Sequence, residues 1–109
     1  MKTDRELLEL AARSIGIDGV CDENTGDIWR GTGSLSWNPL KFDGDALRLA
    51  VKLGISIIFF DGFEEVKAET CALDVEVFEK YSSDVYAATR RAITRAAAQI
   101  QLNKEQTNG

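Results

Sequence analysis

Trp37-Asn38-Pro39-Leu40-Lys41-Phe42-Asp43-Gly44-Asp45-Ala46-Leu47-Arg48-Leu49-Ala50-Val51-Lys52-Leu53-Gly54 is the most distinctive stretch of the chain, and it reads as a turn, a helix and a stop. Pro39 cannot occupy a helix interior and biases Asn38 toward extended backbone. Residues 36–41 are therefore expected to form an ordered turn. Asp43 is a good N-cap, and Asp45 sets negative charge against the positive end of the helix. Ala46, Leu47, Leu49, Ala50, Val51 and Leu53 are apolar; only Arg48 and Lys52 interrupt them, four residues apart on one face. So apolar a helix is expected to be mostly buried. Gly54 ends it.

Upstream, Thr3-Asp4-Arg5-Glu6 has the form of a capping box. Leu7, Leu8, Leu10, Ala11 and Ile15 follow at helical spacing, and Gly16 supplies a left-handed stop. The first helix is expected at about 4–15. Residues 20–30 read as a hairpin around Asn24-Thr25-Gly26, and Gly31-Thr32-Gly33-Ser34 as a loop.

Downstream, residues 55–60 are β-rich and apolar on both faces, which predicts a central strand. Asp61-Gly62 is a hairpin-turn signal. Glu65, Lys67 and Glu69 alternate with Val66, Ala68 and Thr70 as in a half-exposed strand. Val75, Val77 and Tyr81 suggest a third strand. Ser82, Ser83 or Asp84 caps a last helix that runs to about Leu102, with Val85, Ala88, Ala92, Ile93, Ala96, Ala97 and Ile100 as its inner stripe. The expectation is a single α+β domain over residues 1–102, in the order α-β-β-α-β-β-(β)-α. Its sheet is mainly antiparallel with helices packed on one face. Residues 103–109 are read as a polar, flexible tail.

The bulk composition narrows function. One hundred and nine residues is one domain. A net charge of -5 argues against nucleic-acid binding by bulk electrostatics. Histidine is absent, which removes the commonest general base and the commonest metal ligand. Cys21 and Cys71 form no Cys-x-x-Cys pair, so a zinc ribbon or thioredoxin-type site is excluded. The opening Met1-Lys2-Thr3-Asp4-Arg5-Glu6 does not read as a signal peptide. Both thiols are expected to be reduced, in the cytoplasm. The apolar run at 55–60 is too short to cross a membrane.

Three blocks stand out together: Arg5-Glu6-Leu7-Leu8-Glu9-Leu10-Ala11-Ala12, then Trp37 to Leu40 with Asp43 to Leu53, then Tyr86-Ala87-Ala88-Thr89-Arg90-Arg91-Ala92-Ile93. In order and wording the set resembles a group of small bacteriophage and prophage proteins of unknown function. The resemblance implies a phage accessory protein acting in the cytoplasm of a bacterial host. It brings no activity, so no catalytic residue is carried over from it.

The motifs carry little chemistry of their own. Asp22-Glu23-Asn24-Thr25-Gly26-Asp27 lacks the glycine and glutamate that a calcium loop needs. Gly31-Thr32-Gly33-Ser34 lacks the Gly-Lys-Ser/Thr of a phosphate loop. Asp61, Glu64 and Glu65 read as a solvated acidic hairpin tip. Asp43 and Asp45 are explained by capping. Cys21 and Cys71, without a histidine, read as buried small hydrophobes rather than nucleophiles. Trp29 and Trp37 flank the glycine loop and serve either as core or as a binding surface. Arg90, Arg91 and Arg95 serve either as a salt-bridged face or as an anion site.

The binding candidates are thus Trp29, Trp37, Asp43, Asp45, Arg90, Arg91 and Arg95, with no catalytic residue, metal site or cofactor assigned. The leading expectation is a non-enzymatic module that binds a bacterial host protein, with a defence or regulatory factor as the candidate target and a homodimer compatible with the apolar second and third helices. A nucleotide-like ligand held by Trp37, the glycine loop and the arginines is the alternative. An enzyme using Asp, Glu or Cys ranks last.

Overall fold

The computed structural model describes residues 2–29 and 36–107. The fold is α+β, with helix α1 (Asp4–Ser14), strands β1 (Ile28–Trp29) and β2 (Ser36–Trp37), and helix α2 (Asp43–Leu53). Strands β3 (Ser56–Phe60), β4 (Glu65–Thr70) and β5 (Val75–Lys80) and helix α3 (Val85–Thr107) follow. Strands β1 and β2 form a two-stranded antiparallel ribbon, and β3-β4-β5 is an antiparallel sheet with β4 in the middle. The glycine loop at residues 31–34 lies outside the described residues, as do residues 108 and 109 of the expected tail.

Helix α1 starts on the expected capping box. The Glu6 amide donates to Thr3 Oγ1 at 3.2 Å, and the Thr3 amide donates to the Glu6 carboxylate at 3.1 Å. Its inner stripe of Leu7, Leu8, Leu10, Ala11 and Ala12 is buried. Helix α2 begins differently from the sequence expectation. Phe42 holds the cap position without a side-chain hydrogen bond, and Asp43 is the first helical residue. Asp45, in the first turn, instead reaches back out of the helix to accept the Asn38 amide at 2.9 Å. Gly54 ends the helix at φ +70°, where a side chain would be strained, and the Ile55 amide closes onto Ala50 O at 2.9 Å.

Asn38 explains why the Trp37–Leu40 turn is ordered. The residue is buried, and its side chain donates to Asp27 at 2.9 Å and to Gly26 O at 3.3 Å. Its Oδ1 accepts the Leu40 amide at 3.0 Å. One residue thereby joins the Asp22–Asp27 turn to the start of α2. The expected hairpin at 20–30 is reduced to the single bridge Cys21–Ile28, because β1 pairs with β2 instead, with Ile28 opposite Trp37.

Four expectations of burial are corrected. The apolar strand at 55–60 is an edge, not the centre of the sheet. In α2 only Ala46, Leu49 and Ala50 are buried, while Leu47 is 60% exposed and Val51 74%. Cys21 is buried, and that burial pushes its thiol up from the ordinary range. Cys71 is exposed in the β4–β5 turn, contrary to its reading as a core residue. Asp84 is the residue that caps α3, accepting from the Tyr86 and Ala87 amides. The helix continues past Leu102 to Thr107, and Arg13 at the end of α1 meets Glu105 at 3.1 Å. Val85, expected in its inner stripe, is exposed; Ala88, Ala92, Ile93, Ala96, Ala97 and Ile100 are buried.

Two outcomes follow from this packing. A Cβ on Gly19 would stand 2.6 Å from Trp29 O and 2.7 Å from the Cγ2 of fully buried Ile28. Gly19→Ala is expected to cost about 1–3 kcal/mol in urea unfolding. Tyr81 is buried and donates to Asp61 at 2.7 Å, and burial, then the Asp61 carboxylate, pushes its phenol up from 10.0 to about 12. The fold favours the neutral phenol, so this contribution is complete below the unfolded value and is lost as pH rises through the folded one. Wild type is expected to lose more stability than Tyr81→Phe across that alkaline range.

Candidate functional site

Helix α3 packs across β4 and β5 and against α1 and α2. An α-helix with its side chains is about 10 Å wide, and strands lie about 4.8 Å apart, so one helix covers about two strands. The inward faces of β4 and β5 (Val66, Ala68, Thr70, Val75, Val77) are buried accordingly. Strand β3 is left over. Ile57 and Phe59 lie opposite Ala68 and Val66 in the ladder and so share the inward face, yet Phe59 remains 51% exposed. Helix α2 packs on α3 and has little contact with the sheet.

The result is a cleft of about 360 Å3 between α2, β3 and the start of α3. Its walls are Leu47 and Gly44 from α2, Ile57 and Phe59 from β3, and Val85 and Tyr86 from α3. Tyr86 is 72% exposed. Leu47 and Val51 are one turn apart and form a second apolar stripe beside the buried one. On the other face of the sheet, Ile58 and Phe78 are exposed. There Lys67 lies over the Phe60 and Phe78 rings at 5.9 and 5.7 Å and pairs with Glu69 and Glu76. The charged lining of the apolar cleft is the Asp43–Arg90 ion pair.

The expected site residues are dispersed. Asp43 and Arg90 do meet, at the cleft: Arg90 Nη1 donates to Asp43 at 2.8 Å and its Nε to Leu40 O at 2.9 Å. Asp45 is occupied by the Asn38 amide and by Arg48 at 3.6 Å. Trp37 is a core residue, 3% exposed. Trp29 is half-buried, and its indole N–H is buried without a partner among the described residues. Arg91 and Arg95 lie away from this cleft. Arg91 donates to Asp4 at 3.0 Å, and Arg95 donates to Phe78 O at 3.0 Å and closely to Glu79. The structure thus does not bring Trp37 and the three arginines into one pocket.

Leu47, Phe59 and Val85 were missed because apolar residues were assigned to the core, and Tyr86 was given no role. The signal that could have found them is the excess itself: α2 and β3 each carry more apolar surface than one neighbouring layer can cover. Among the described residues no group of three or more acidic or cysteine side chains is placed to hold a metal ion, and no helix is long and apolar enough to cross a membrane.

No family model matches the chain, and comparison with curated proteins and with solved structures returns no match.

The Arg90 contacts separate structure from surface charge. Arg90 is largely covered and satisfies a backbone carbonyl, while Asp43 is 72% exposed. Arg90→Ala is expected to cost about 1–3 kcal/mol, because the Leu40 carbonyl loses its donor. Asp43→Asn should cost less than about 1 kcal/mol. Chemical denaturation of both variants checks the contrast.

Proposed function

We propose that this chain is a non-enzymatic accessory module that acts by binding protein through the α2–β3–α3 face. The observation that carries the reading is the open edge of β3. Ser56-Ile57-Ile58-Phe59-Phe60 has no charge and no proline, and it ends the sheet. Edge strands are normally protected by charge, proline, bulges or a covering element. A long apolar strand with an apolar cleft behind it fits a partner that adds a strand to the edge and seats side chains in the cleft. The phage resemblance supports a bacterial host protein in the cytoplasm as that partner.

A second reading has its own support. An uncharged edge can pair with its own copy about a twofold axis without setting like charges opposite one another. A homodimer through β3 is the form this would take. The net negative charge supports neither a nucleic-acid partner nor a large polyanion.

Capture of bacterial proteins on the tagged chain, compared with Phe59→Lys and Tyr86→Ala, tests the proposal. A bacterial protein retained stoichiometrically by wild type and lost from both variants, with their circular dichroism unchanged, is the expected result. A concentration-dependent dimer with no bacterial protein would favour the second reading. Identical capture by all three chains, with a monomer at every concentration, would sink both.

A further inference from the structure

A second concave surface, of about 520 Å3, lies between α1, β5 and α3. That volume is within the range of small-molecule sites. Its aliphatic lining comes from Leu7, Val77, Ala98 and Leu102, the first three of them buried. Its polar lining includes three cations, Lys2, Arg91 and Arg95, and one carboxylate, Glu79. Asp4, paired with Arg91, stands beside this lining as a second carboxylate.

The two arginines are held in position by the fold. They stand one turn apart on α3, so they project along one face. Arg95 is fixed by Phe78 O at 3.0 Å and by Glu79. Arg91 is fixed by Asp4 at 3.0 Å, with Glu79 at 3.9 Å. A guanidinium carries five N–H donors, and these contacts engage only part of each set. The ordering of both side chains is therefore met by the fold before any ligand arrives, which lowers the entropy cost of binding. Lys2 adds a third positive charge to the lining and interacts electrostatically with Glu6 of α1.

We infer that this cleft binds a small amphiphilic anion, with a carboxylate or phosphate head on the Arg91–Arg95–Lys2 rim and a short aliphatic chain against Leu7, Val77 and Leu102. Guanidinium forks suit both head groups. No aromatic residue lines the cleft, so a nucleobase has no ring to stack on, and an aliphatic tail is the better match. The site is separate from the α2–β3–α3 face and does not depend on protein binding there.

Isothermal titration of the full chain at low salt with octanoate and with octyl phosphate tests the inference. Acetate and inorganic phosphate serve as heads without tails. At least one amphiphile is expected to bind at millimolar concentration or below, at least tenfold more tightly than its matching head group. The two amphiphiles distinguish the head groups. Lys2→Gln leaves the Asp4–Arg91 and Glu79–Arg95 contacts in place and is expected to weaken binding about fivefold. Arg95→Gln is expected to weaken it more, with its fold checked by circular dichroism because Arg95 also anchors β5. Absence of heat with both amphiphiles would overturn the inference. So would binding equal to that of the bare head groups, or binding unchanged in Lys2→Gln.

Discussion

The geometry follows from one constraint: a single helix packs on a three-stranded sheet and is too narrow to cover all of it. Helix α3 can approach closely because its inner face is built of Ala88, Ala92, Ala96 and Ala97, all buried. Small side chains bring α1, β4 and β5 near its axis, but they do not widen the helix. Its width reaches about two strands. The third strand must find cover elsewhere, and α2 does not provide it. Ala46, Leu49 and Ala50 commit α2 to α3, and the Asn38–Asp45 and Arg90–Leu40 contacts fix where it starts. The Leu47–Val51 stripe and the inward face of β3 then border the same gap.

This gap is a better functional candidate than any cluster of polar groups. A soluble monomer seldom leaves a large contiguous apolar patch uncovered, and such patches commonly mark interaction sites. Here three elements contribute to one patch, and β3 adds the main-chain donors and acceptors of a strand with no charged side chain of its own. The outer face of the sheet offers a contrast within the same strands. There Lys67 lies over the Phe60 and Phe78 rings and pairs with Glu69 and Glu76, as expected of a face meant for water.

Much of the fold was legible in the sequence because local chemistry decided it. Thr3–Glu6, Gly54 and the 65–70 alternation each have one physical reading, and each is realised. What failed was the inference from apolar to buried. Residues 55–60 and the apolar surplus of α2 read as core because hydropathy says only that a side chain gains by leaving water. It does not say whether the chain's own layers can reach it. Trp37, open in the sequence between core and binding surface, packs in the core beside Ile28. Of the expected site only Asp43 and Arg90 coincide with the cleft. Arg91 follows Arg90 directly, which turns its side chain about 100° around α3 toward Asp4 and Glu79. Sequence adjacency therefore concealed that the arginines serve different sides of the helix.

The most direct test of the open edge is amide hydrogen exchange across residues 56–60, measured alone at low concentration and again with the captured partner or at high concentration. In an antiparallel pair only alternate amides bond to β4. Isolated chain is therefore expected to show alternating protection along β3, and the unprotected amides should become protected once the edge is covered. Uniform protection of β3 in the dilute monomer, or open amides that stay open in the assembled state, would contradict the account.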